Sequence, residues 1–146
     1  MNTSIDFIEQ RIIKAVHKLL TGKVNEILNE AQFYIPAVEF GNYESKDIVT
    51  PIITLKTCER SEKERIIRQD AYSLTITYSF QETPESQLYC YAHAAAIDNA
   101  LKENTTLGGI ADRAVMTERK YLSSKKPNDG EGWGLVISLR ITIGEC

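Results

Sequence analysis

The chain is poor in the residues from which most chemical sites are built. Its 146 residues include three cysteines, two histidines and one tryptophan. Cys58, Cys90 and Cys146 are odd in number and far apart. That argues against a disulfide framework and fits a reducing compartment. No apolar run approaches the ~20 residues that a membrane-spanning helix needs. The opening MNTSIDFIEQR has neither a basic start nor an apolar core, so it is not read as a secretory leader. Positive charge is not in excess either. Seventeen Lys and Arg stand against twenty Asp and Glu, a net charge of −3, which argues against a nucleic-acid-binding surface as the main function.

Chemical motifs are equally scarce. There is no GxSxG elbow. A Cys–His pair, Cys58 or Cys90 with His17 or His93, has no local signature behind it. Cys90 and His93 are three apart on a helical pattern, but a structural zinc site takes four ligands and no other paired spacing supplies them. Cys90 reads better as a small core residue and His93 as a helix-flank residue. Gly130-Glu131-Gly132-Trp133-Gly134 lacks the Lys-Ser/Thr of a phosphate loop and precedes a strand rather than a helix. The expectation is a protein that is not an enzyme, with no catalytic residue, no cofactor and no metal.

What the chain does have is pattern. Hydrophobic residues at 42% and charged residues at 25% are ordinary for a folded domain, and 146 residues suffice for one domain with a real core. Residues 83–109, TPESQLYCYAHAAAIDNALKENTTLGG, read as the central helix and its exit turn. Thr83 can cap it, Pro84 fits the first position and Glu85 suits the positive end of the dipole. Cys90, Ala94, Ile97 and Leu101 share one face, while Asp98 and Lys102 can pair on the other. Burial of Ile97 and Leu101 should stabilise by ~1.5–3 kcal/mol each. Gly108 and Gly109 can take the positive φ that a tight exit requires.

Two strands flank this helix in sequence. Tyr72, Leu74, Ile76, Tyr78 and Phe80 alternate with polar residues, and Trp133, Leu135, Ile137, Leu139, Ile141 and Ile143 do the same against a mostly polar set. Strict period two means one buried face and one face that is wet or turned towards a partner, a pattern more typical of antiparallel than of all-parallel sheets.

Other elements are weaker. Residues 4 to about 21 form an amphipathic helix, with Ser4 as cap, Ile5, Ile8, Ile12, Ala15 and Leu19 as its stripe, and Gly22 as its stop. It either covers the sheet or packs on a neighbouring subunit. Val24, Ile27, Leu28 and Ala31 mark a second short helix. Residues 33–40 read as an edge strand broken by Pro36, residues 41–47 as a loop, and residues 52–57 as another strand.

Residues 58–70, CERSEKERIIRQD, are densely charged in both signs. One reading is a solvated connection between strands. The other is an assembly segment, because alternating charges penalise a wrong register. Its subunit-interface candidates are Arg60, Glu62, Lys63, Arg65, Ile66 and Arg68, with Ile66 and Ile67 as apolar anchors. A moderate strand covers 113–122, and the polar loop 123–132 joins it to the last strand as a long hairpin. Lys125, Lys126 and Trp133 are the loop-contact candidates. The fold class expected is α+β: a mostly antiparallel twisted sheet packed against a long helix, with an N-terminal amphipathic helix.

The order of these elements resembles the tail terminator, or tail completion, proteins of long-tailed bacteriophages and their prophage relatives. The resemblance rests on RQDAYSLTITYSFQ (68–81), ALKENTTLGG (100–109), RAVMTERKYL (113–122) and GWGLVISLRITIGE (132–145), about the C-terminal half of the chain. It implies a structural virion subunit that assembles with itself, usually as a hexameric ring, on the head-proximal end of the tail tube. The implied partners are further copies of the chain, the tail tube protein and a head-completion or connector protein. DNA would only pass through the ring, no membrane is involved, and assembly would take place in the bacterial host cytoplasm. Two other readings remain open: another head–tail connector or tail tube component, and a small cytoplasmic ligand-binding α+β domain.

Overall fold

The computed structural model describes residues 7–40, 48–63, 67–80, 85–124 and 132–145. Helix α1 spans Ile8–Leu19 and helix α2 Asn25–Asn29, with a π-helical turn, Leu20–Val24, between them. Two short strands follow, β1 at Ala37–Val38 and β2 at Ile48–Val49. Strand β3 covers Ile52–Lys63, β4 Ile67–Phe80, helix α3 Ser86–Glu103, β5 Arg113–Ser124 and β6 Gly132–Glu145.

The main sheet has the order β3-β4-β6-β5, with every neighbouring pair antiparallel. The alternation in β4 and β6 works as expected. Leu74 lies opposite Leu139 and Ile76 opposite Ile137, and all four are buried on one face. The helices cover that face, with α3 over β5 and β6 and α1 towards β3. Cys90, Ala94, Ile97 and Leu101 of α3 are all in the core, and Asp98 meets Lys102 at 3.2 Å on the outside. The architecture is therefore α+β, with a helical layer on one side of an antiparallel sheet.

Four expectations need correction. Gly22 does not stop the first helix. The chain passes through it in a π-helical turn and continues into α2. Residues 33–40 are not one strand, since only Ala37–Val38 pairs, in parallel, with β2. Pro36 ahead of this pair has no N–H to donate, which limits the strand on that side. Within the charged stretch, residues 58–63 and 67–70 are strand and not loop. Register runs from Cys58 opposite Tyr72 out to Lys63 opposite Ile67, so it forms the end of a β-hairpin. Finally, His93 is not on the helix flank but fully buried.

Helix ends are made locally. Glu85 precedes α3 without a side-chain cap bond, and Thr83, Pro84 and Ser4 lie outside the described residues. At the other end the Oδ1 of Asn104 accepts the Gly108 N–H at 2.8 Å. Leu107, Gly108 and Gly109 then turn the chain with φ of 51°, 74° and 94°. Glycine adopts such angles freely, whereas Leu107 is held there by its burial in the core.

Candidate functional site

The first place to look for chemistry is the buried Cys90–His93 segment, and its environment opposes reactivity. Burial pushes the Cys90 thiol up to about 11, and its Sγ lies 3.8 Å from the Gly134 carbonyl oxygen. A nucleophilic thiol needs the opposite shift. His93 Nε2 sits 2.9 Å from the Pro36 carbonyl oxygen, which fixes the proton on Nε2. Burial lowers its pKa to about 4, and the Pro36 bond opposes that only partly. The ring packs against Tyr78 and Phe80 at centroid distances of 5.1 and 5.3 Å. It is a packing and anchoring residue that ties α3 to the segment ahead of β1. Among the described residues, no three His, Cys, Asp or Glu side chains converge as metal ligands.

The charged hairpin end is a better candidate for contact. In β3, Thr57, Cys58, Glu59 and Arg60 are all exposed in succession. The β4 residues opposite, Ala71 and Tyr72, are buried and β4 stays paired with β6 here, so this end of β3 is an exposed edge of the sheet, called the arm below. Arg60 grips Asp70 across it, with N–O distances of 2.9 and 3.4 Å. This forked pair holds the two strands in register and leaves a charged rim. Of the other candidates, Glu62 and Lys63 lie in β3 and Arg68 in β4, opposite Glu62 on one side and Glu145 on the other. Arg65, Ile66, Lys125 and Lys126 lie outside the described residues. Trp133 is partly buried at the far end of the sheet, opposite Phe80, so the structure does not bring it together with the arm.

The opposite edge is different. Tyr91 of α3 meets Tyr121 of β5 edge-on at 4.8 Å, and Leu88 and Tyr91 are exposed beside it. Charged residues continue along β5, where Lys120 sits 3.7 Å from Glu118. Sequence reading missed this edge. The only signal was apolar residues on the helix face turned away from the core stripe.

The uncovered face of the sheet is polar, and two bulges shape it. Leu55, Leu74, Leu139 and Met116 form one row across all four strands. Next to that row β3 inserts Lys56 and β5 inserts Thr117. Bulges bend and twist a strand. Between them lies a recess of about 340 Å³ lined by Lys56, Ser73, Thr75, Ser138 and Arg140. The same bulges interrupt both outer strands, which hinders simple edge-to-edge strand addition and shifts contact to side chains.

No protein-family model matches the chain, and a search of curated proteins finds no significant match. No helix among the described residues is long and apolar enough to cross a membrane.

Proposed function

We propose that the chain is a structural subunit that associates head-to-tail with its own copies into a ring, and that this ring caps the head-proximal end of a bacteriophage tail tube. The observation that carries this reading is the unlikeness of the two sheet edges. The β3 side ends in an exposed, charged edge strand with the Arg60–Asp70 pair, and the β5 side presents Leu88, Tyr91 and Tyr121 with mixed charge alongside. Cyclic assemblies use heterologous contacts, in which one surface of a subunit meets a different surface of the next. Mixed charge on both edges favours one register over its neighbours.

The tube-capping role, the virion location and the hexameric count come from the resemblance of residues 68–81, 100–109, 113–122 and 132–145 to tail terminators. The four-stranded antiparallel sheet and long helix are compatible with it. A connector or tail tube subunit of similar build would share these edges and differ in its product.

The test is to add the purified protein to growing tail tubes and measure tube length and end structure by electron microscopy. The proposal expects elongation to stop, with extra density at one end only. Unchanged elongation, or tubes formed by this protein alone, would overturn it.

A further inference from the structure

The sheet face that the helices leave uncovered carries a further site, and it stands whether or not the ring reading holds. Leu74 and Leu139 are buried beneath the helices, so by alternation Ser73 and Thr75 of β4 and Ser138 and Arg140 of β6 belong to the other face. These four residues mark out a rectangle, with Ser73 opposite Arg140 and Thr75 opposite Ser138. Paired strands lie about 4.8 Å apart and alternate residues along a strand about 6.8 Å, so the centre is about 4 Å from each corner. All four line the recess of about 340 Å³ between the two bulges, and Lys56, the extra residue of the β3 bulge, borders it from the side. Bulges are over-represented beside functional sites, where they re-aim a side chain.

The fold does not use the polar groups of this recess. Thr75 is only 9% exposed and lines the recess, yet its side chain has no hydrogen-bond partner among the described residues. Buried polar side chains are ordinarily paired, so an idle one at the floor of a recess points to an outside partner. Ser73 and Ser138 are idle in the same sense, whereas Thr117, beside them, donates to the Ser138 carbonyl oxygen at 3.2 Å. Lys56 and Arg140 have no ion pair among the described residues, in a chain whose net charge is −3. Glu118 borders the recess on the β5 side, where Lys120 stands 3.7 Å from it. The positive charge is therefore concentrated at the Lys56–Arg140 end.

We infer that this recess binds a single phosphate group, either the free ion or the head of a small phosphate monoester. Two uncompensated cations select an anion. Three hydroxyls and a guanidinium at the corners of one rectangle select an oxyanion with more than two oxygens, because a carboxylate would leave donors unmet. A tetrahedral oxyanion above the centre reaches the four corners through bonds of about 2.7–2.9 Å, with Lys56 adding charge from the side. Ser and Thr hydroxyls also accept, so the proton of a monohydrogen phosphate finds a partner as well. The face does not suit a nucleic-acid backbone, which needs a series of cations along its track. On this face of the two central strands, residues 69–79 of β4 and 134–144 of β6, Arg140 is the one charged residue.

The experiment titrates inorganic phosphate into the full-length protein at neutral pH and constant ionic strength, and follows backbone amide shifts by NMR. The amides of Lys56, Ser73, Thr75, Ser138 and Arg140 should move and saturate in the millimolar range, with sulfate weaker and acetate weaker still. Arg140→Gln should reduce affinity about tenfold and Thr75→Val about fivefold. Valine keeps the branched shape that a strand favours, so the melting temperature of Thr75→Val should hold or rise. Glu118→Gln should raise affinity about twofold by removing the one opposing charge at the rim. Glycerol 3-phosphate then distinguishes the two sources: tighter binding than phosphate assigns the site to a monoester, and weaker binding assigns it to the free ion. Four results would overturn the proposal. The recess amides could stay still at tens of millimolar phosphate. Acetate could match phosphate, which would mean charge attraction alone. Thr75→Val and Arg140→Gln could both bind like the native protein. A DNA duplex could move these amides where phosphate does not, making the face a nucleic-acid contact.

Discussion

Asn25 holds Val38 by both sides of its backbone. The carboxamide Nδ2 donates to the Val38 carbonyl oxygen at 2.8 Å, and the Oδ1 accepts the Val38 N–H at 2.8 Å. One side chain thereby does the work of a neighbouring strand, and it ties β1 to the end of the π-helical turn. Asn25→Ala removes both bonds and leaves two partly buried groups unpaired. It should destabilise by about 1–3 kcal/mol. Urea denaturation measures the loss, and faster exchange of the Val38 amide would localise it. Asn25→Asp should also destabilise, because the carboxylate has no proton for the carbonyl.

Two glycines should respond in opposite senses. Gly22 lies in helical backbone with open space around it, so Gly22→Ala should stabilise by about 0.5–1 kcal/mol. Gly109 also has open space, but its φ is 94°. Gly109→Ala should destabilise by about 1–2 kcal/mol through backbone strain alone. Thermal melts of the two variants test this, and equal shifts of the same sign would contradict the backbone account.

His93 makes stability depend on pH. Its folded pKa is lowered to about 4, below the ordinary 6.5, because burial disfavours the imidazolium. Between those values the unfolded chain binds more protons, so stability is complete above about pH 6.5 and falls as the pH drops towards 4. The full effect is on the order of 3 kcal/mol. Denaturation of the native protein and of His93→Gln across pH 7 to 4 gives the test. The variant should lose the part of the acid slope that His93 supplies, leaving only that of the carboxylates.

The arm should matter for contact more than for folding. Arg60→Glu breaks the forked pair with Asp70 and reverses charge on an exposed strand. Arg60 is 56% exposed but the Asp70 side chain only 14%, so the loss should exceed the ~0–1 kcal/mol of a fully exposed pair, with a modest fall in melting temperature. Association between copies should weaken, as read by sedimentation at several concentrations. A large loss of stability with unchanged association would mark the pair as a fold element only.

The parts legible in the sequence were those in which a single physical demand repeats. In β4 and β6 one face meets helices and the other meets water, so hydrophobicity alternates for ten residues or more. In α3, Cys90, Ala94, Ile97 and Leu101 mark the buried stripe. The charged end of β3 was not legible as strand because residues 57–60 are exposed on both faces, which erases the alternation. Gly22 looked like a stop because glycine usually ends a helix, and no local signal announces a π-turn. His93 looked exposed because its buried partner, the Pro36 carbonyl, is 57 residues away. Arg65, Ile66, Lys125 and Lys126 lie outside the described residues, so those contact candidates rest on sequence alone.

The central claim is self-association into a closed ring. The most direct measurement is the mass of the purified full-length protein by light scattering after size exclusion, over a range of concentration and salt, with and without tail tubes. The account predicts a discrete species near six subunits, or a monomer that becomes one when tubes are added. A monomer at every concentration that ignores tubes, or an open-ended distribution of sizes, would contradict it.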